Sequence, residues 1–129
     1  MKKRVWLTGM VLGGVMLLAG CLFPRYTTIC EIQPMVVGSG EMTLEQASTV
    51  VKEMLQGVPA GHHPDHPGDK TLGKYATSIR LRKHNRTGLV LVEVFENSRV
   101  MMEFYVRTRE DGEKFSAAVW RLRQEYQGK

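Results

Sequence analysis

The sequence predicts an α+β domain: a four-stranded, mostly antiparallel sheet with two helices on one face, in the order β-α-β-β-β-α. Three observations predict it. Between residues 78 and 108, three apolar-rich runs are separated by short polar turns. Two other stretches, 43–56 and 111–126, repeat apolar residues at helical spacing. A shorter apolar run, Ile29 to Val37, precedes the first helix and supplies the fourth strand.

In the first strand Ile29, Glu31, Ile32 and Gln33 partly alternate, and Pro34, which cannot donate to a ladder, places the run at a sheet edge or breaks it there. Gly38-Ser39-Gly40 makes a turn. The first helix, Thr43 to Gln56, opens with Thr43 and Gln46 at capping-box spacing, in which each side chain satisfies a free backbone N–H. Leu44, Ala47, Val50, Val51, Met54 and Leu55 form its apolar stripe, and Gly57 with Pro59 stops it. Residues 57–74 then read as a loop rich in Gly, Pro and His, long for a structureless connection.

Ser78 to His84 alternates, with Ile79 and Leu81 opposed to Arg80 and Arg82. After the turn Asn85-Arg86-Thr87-Gly88, Leu89 to Phe95 is almost continuously apolar, as suits a central strand. Val100 to Thr108 places Met102, Phe104 and Val106 on one face and Met101, Glu103 and Tyr105 on the other. The second helix runs from Asp111, its expected cap, to Tyr126. Phe115, Ala118, Val119, Leu122 and Tyr126 make its buried stripe, and Trp120 falls outside that stripe.

Ahead of this domain stands Met1-Lys2-Lys3-Arg4, an apolar run from Val5 to Ala19, and Leu18-Ala19-Gly20-Cys21. A basic start, an apolar core and small residues before a cleavage point have the form of a secretory signal. The last four residues resemble the lipobox of bacterial lipoproteins. That resemblance implies a signal peptide over 1–20, cleavage before Cys21 and a diacylglycerol on the Cys21 sulfur. Residues 21–28 are then the lipidated tether and 29–129 a single periplasmic domain. Leu22 after the cysteine, where lipoproteins kept at the inner membrane of enterobacterial-type systems carry Asp, implies the outer membrane. The competing reading is an uncleaved anchor, because Val5 to Phe23 carries no charge. Gly9, Gly13, Gly14 and Gly20, with Pro24, argue against a stable helix there.

The formal charge of +5 includes Lys2, Lys3 and Arg4, with no acid before Cys21, so the mature chain carries +2. That is no electrostatic footprint for nucleic acid, and none is expected as a partner. Lipidation of Cys21 leaves Cys30 single, and Ile29 and Ile32 beside it suggest burial. The element order is similar to that of small envelope lipoproteins of lipopolysaccharide-assembly and transporter-accessory type, in order alone.

Three surfaces are candidates for function. His62, His63, Asp65 and His66 bring imidazoles and a carboxylate together among prolines, a donor set suited to zinc, nickel or copper, although known zinc spacings are absent. Arg80, Arg82, Lys83 and Arg86 make a basic strand and turn that suits lipid phosphates, lipopolysaccharide or an acidic partner, or else a charged edge that resists pairing. Leu91, Phe95, Met101 and Tyr105 mix with Glu93 and Glu103 on the face away from the helices, a pattern that suggests a protein contact. Ser39 lacks a nucleophile elbow, and no paired carboxylates or phosphate loop appear. The expected function is a lipid-anchored, non-enzymatic accessory subunit that needs no cofactor and binds another envelope protein; metal binding by the His loop is the alternative.

Overall fold

A computed structural model describes residues 25–56 and 68–127. The expected signal peptide and lipobox, Cys21, and the cluster His62, His63, Asp65 and His66 lie outside the described residues. The chain forms β1 (Tyr26–Ile32), α1 (Leu44–Gln56), α2 (Asp69–Tyr75), β2 (Ser78–His84), β3 (Val90–Glu96), β4 (Arg99–Val106) and α3 (Arg109–Tyr126). The class is α+β, and the four strands form one antiparallel meander in the order β1-β2-β3-β4. The helices number three rather than two, so the order is β-α-α-β-β-β-α.

The extra helix, α2, occupies the end of the expected 57–74 loop and runs one residue past it. Its seven residues hold one aliphatic side chain, Leu72, and a glycine, so no periodic stripe announces it. Gly73 is there because α2 crosses α3 closely. A Cβ at this position would stand 2.6 Å from the Leu122 carbonyl oxygen. The cost of glycine in a helix, roughly 1 kcal/mol, is offset by the packing that this approach allows.

β1 begins three residues earlier than expected and ends before Pro34. A bulge between Thr28 and Cys30 breaks its register with β2. The extra residue, Ile29, packs against the core together with Cys30. Cys30 is a free thiol and only half-buried, because β1 is an edge strand.

The capping box of α1 forms in both directions. The Gln46 N–H donates to Thr43 Oγ1 at 3.1 Å, and the Thr43 N–H to Gln46 Oε1 at 2.9 Å. In α3 the cap is Thr108 rather than Asp111. Thr108 Oγ1 accepts from the Asp111 N–H at 3.2 Å, which leaves Asp111 in the first turn, where its charge suits the helix N-terminus.

One core joins sheet and helices. Leu81, Val92, Val94, Met102 and Phe104 meet Phe115, Val119 and Leu122 of α3. α1 and α2 in turn pack on α3, contributing Ala47, Val50, Val51 and Leu72. That second layer explains Trp120. It lies off the sheet-facing stripe yet is 1% exposed, because α3 is covered on more than one side. Gln124 on α3 also holds the segment after β1: its Nε2 donates to the Val37 carbonyl at 2.8 Å, and its Oε1 accepts from the Val37 N–H.

Candidate partner-binding surface on the sheet

Strand pairing decides which side chains share the other face of the sheet. Arg80 stands opposite Glu93 and Arg82 opposite Leu91, Leu91 opposite Tyr105, and Glu93 opposite Glu103. Tyr26 and His84 face each other at one end of β1 and β2. All of these positions point away from the row Leu81, Val92 and Phe104, which faces the helices.

Glu93 is the organising residue. It is 3% exposed, and both neighbouring arginines grip it as forks. Arg80 donates from Nε to Oε1 at 3.0 Å and from its terminal nitrogen to Oε2 at 3.2 Å. Arg82 makes the same pair of bonds at 2.6 and 3.1 Å. The Glu93 hydrogen bond raises the Arg80 pKa above its ordinary value against the opposing effect of burial, which keeps the guanidinium charged. Two carboxylates directly opposite each other, Glu93 and Glu103, would repel. The paired cations beside them remove that penalty.

Each guanidinium also lies over an aromatic ring, Arg80 at 5.1 Å from the Phe95 centroid and Arg82 at 4.7 Å from that of Tyr26. Tyr26 and Tyr105, from the two edge strands, share a hydrogen bond of 2.5 Å between their hydroxyls. The two rings thus reach toward each other across the middle strands. His84 meets both edge-on, with centroids 5.1 and 6.5 Å away. Leu91, flanked by Arg82 and Tyr105 in its row, is 3% exposed even though it faces away from the helices.

The three expected surfaces fare differently. Leu91, Phe95 and Tyr105 share this face, but Leu91 is buried in it. Met101 leaves the group: the register shifts between Val94 and Phe95, and Met101 packs against the core. The basic strand divides. Arg80 and Arg82 join the Glu93 cluster, while Lys83 and Arg86 are exposed at the end of β2 and in the following turn. The His loop lies outside the described residues, and among the described residues no group of three His, Cys, Asp or Glu side chains could hold a metal ion. Sequence reasoning missed Tyr26, which fell in the assigned tether, and did not see that Glu93 joins both arginines. The i, i+2 spacing of Arg80 and Arg82, across from one acid in a central strand, was the available signal.

The tyrosine bridge makes a prediction. Burial, then the bond to Tyr26, pushes the Tyr105 phenol up to about 12. The fold favours the neutral phenol, so this contribution to stability is complete below pH ~10, the unperturbed value, and is lost as pH rises through 12. An ultraviolet titration should resolve one tyrosine ionising at about 12, and Tyr26→Phe should lower that value. A titration with no such tyrosine, or one that Tyr26→Phe leaves unmoved, contradicts the bridge.

No family model, curated protein or solved structure matches this chain.

Proposed function

We propose that the chain is a lipid-anchored protein of the bacterial envelope, held by Cys21 and facing the periplasm from the outer membrane. Its sheet face binds another envelope protein, and its role is that of a non-enzymatic accessory subunit. The observation that carries the binding reading is the set Phe95, Arg80, Glu93, Arg82 and Tyr26, fixed in place before any partner arrives. Tyrosine and arginine are the residue types that most often dominate interface energies. Glu93 uses two donors of each guanidinium, and the remaining donors suit carbonyl or carboxylate oxygens on a partner. Arginine normally loses rotamer freedom when it binds; here that loss has already occurred on folding. The address rests on Leu18-Ala19-Gly20-Cys21 and the basic, apolar stretch before it.

The test is crosslinked pull-down of the lipidated protein from membranes, followed by mass spectrometry. Phe95→Glu with Tyr105→Glu should reduce partner recovery at least about tenfold, the equivalent of ~1.4 kcal/mol, because it sets unpaired charge into the contact. His62→Ala, His63→Ala and His66→Ala together should leave recovery unchanged. Circular dichroism melts of both variants should show that the fold survives. Loss of the partner in the histidine variant, with retention in the sheet variant, would transfer the function to the His loop. Cys21→Ser should abolish acyl labelling, and equal labelling of that variant rejects the lipid anchor.

A further inference from the structure

The two ends of the sheet differ in charge. At one end Thr27, Lys83, Val90 and Val106 fall in a single row across the four strands. Arg25 lies just before β1, Arg86 in the β2–β3 turn and Arg107 just after β4, so all three flank this row. Arg25, Lys83, Arg86 and Arg107 are exposed, and no ion pair among the described residues engages them. Three inter-strand spacings separate β1 from β4, so the four cations spread over about 14 Å. Among the described residues, the acids at this end include those at the start of α3. Glu113 is taken by Arg109 at 2.7 Å, and Glu110 and Asp111 lie in the first helical turn, against the positive end of the helix dipole. The opposite end is mixed, with Glu31 and Glu96 against Lys74 and Arg99.

The chain enters the fold at the basic end. β1 starts at Tyr26, and the Arg25 carbonyl accepts from the Asn85 N–H at 2.9 Å, which fixes the entry beside the β2–β3 turn. Four residue steps separate Arg25 from Cys21, and the chain can span at most about 14 Å over them. A lipid on Cys21 would hold this end within roughly one or two Debye lengths of the headgroups, where charge still acts. Tethering makes the encounter intramolecular, so weak contacts suffice.

We infer that the basic end, Arg25, Lys83, Arg86 and Arg107, is the membrane-facing surface of the domain and docks on anionic lipid headgroups. The inference rests on the lipid-anchor reading. Docking there points the strands away from the bilayer. Their far end, with exposed Met35, Val36 and Tyr75, then stands about 20–25 Å out. The Arg80–Glu93–Arg82 face stands side-on to the membrane, open to a neighbour anchored in the same leaflet.

The test uses the lipidated full chain, with acyl label on Cys21 measured first. The protein is placed on phosphatidylcholine vesicles and on vesicles with one third phosphatidylglycerol, and acetylation by a succinimidyl ester is followed at single lysines. Lys83 should react about fivefold more slowly on the anionic vesicles at low salt, and the difference should vanish near ~0.5 M salt. Lys74, at the other end, should react alike on both. Replacing Arg25, Arg86 and Arg107 by Gln should remove the slowing at Lys83. Equal rates at Lys83 on the two vesicles, or equal slowing at Lys74, overturn the docking surface while the acyl label leaves the anchor standing. Absence of the label overturns both.

Discussion

Phe104→Ala should lower the free energy of unfolding by about 3–5 kcal/mol, measured by urea denaturation at neutral pH. Phe104 is 2% exposed in β4 and meets Phe115 of α3 edge to face, with centroids 4.6 Å apart and an angle of 69°. Three losses add: the transfer energy of a ring, the aromatic pair itself, roughly 0.5–1.5 kcal/mol, and the cavity that remains. The cavity persists because its walls are held independently. Val92 stands opposite Phe104 in β3, and Phe115 is fixed on a helix pinned from behind by α1 and α2. Leu122→Ala, 0% exposed on the same helix, should cost about 2–5 kcal/mol for the same reasons. A change below about 1 kcal/mol at both sites, the size of an ordinary surface substitution, would mean that α3 does not lie on this face of the sheet.

The alternation of Ile79 and Leu81, and of Met102, Phe104 and Val106, was enough to find β2 and β4 and to choose their buried faces, since period-two burial leaves one register that hides the apolar set. The Thr43 and Gln46 pair located the start of α1 because capping chemistry is local. What escaped was information that lies in contacts across the chain. α2 has no stripe of its own and depends on α3, which Gly73 lets approach. Trp120 falls outside the stripe that local spacing defines, and it is buried because α1 and α2 cover another side of α3. The bulges at Ile29 and beside Met101 each shift one residue between faces, and no local sequence rule marks them.

The same division holds for the candidate surface. Phe95 and Tyr105 were legible as apolar side chains on the face opposite the helices, because alternation alone assigns faces. The role of Glu93 was not. It read as an interruption in an apolar strand, and its meaning depends on which residues of β2 stand across from it. Tyr26 joins Tyr105 over two intervening strands, a relation between residues 79 apart in sequence. Lys83 and Arg86 lie close to Arg80 and Arg82 in sequence, which joins the four into one basic run. Their environments differ because the first two arginines share a buried acid and the other two cations reach water.

Glu93→Gln should destabilise the domain by about 2–3 kcal/mol and also reduce capture of the sheet-face partner. Breaking a fully buried ion pair costs about 3–5 kcal/mol. The side chains of Arg80 and Arg82 here are 35% and 27% exposed, so water recovers part of the loss and the smaller figure applies. Gln keeps the shape and one carbonyl acceptor, but its amide nitrogen meets a guanidinium donor to donor. It also leaves two cations, two positions apart on β2, without the charge that held them together. They should then leave Phe95 and Tyr26, which is why binding should fall with stability. A double-variant cycle measures the coupling between Glu93 and Arg82. Arg82→Met alone should cost less than Glu93→Gln, because Arg80 still compensates the acid, and the double variant should cost less than the sum of the singles. Partner capture should drop in all three. Glu103, directly opposite Glu93, is the one acid on β4 placed to take over the arginines. Additive costs, or a Glu93→Gln loss below about 1 kcal/mol, would mean that Glu103 shares the role assigned here to Glu93 and that the surface is organised by both acids.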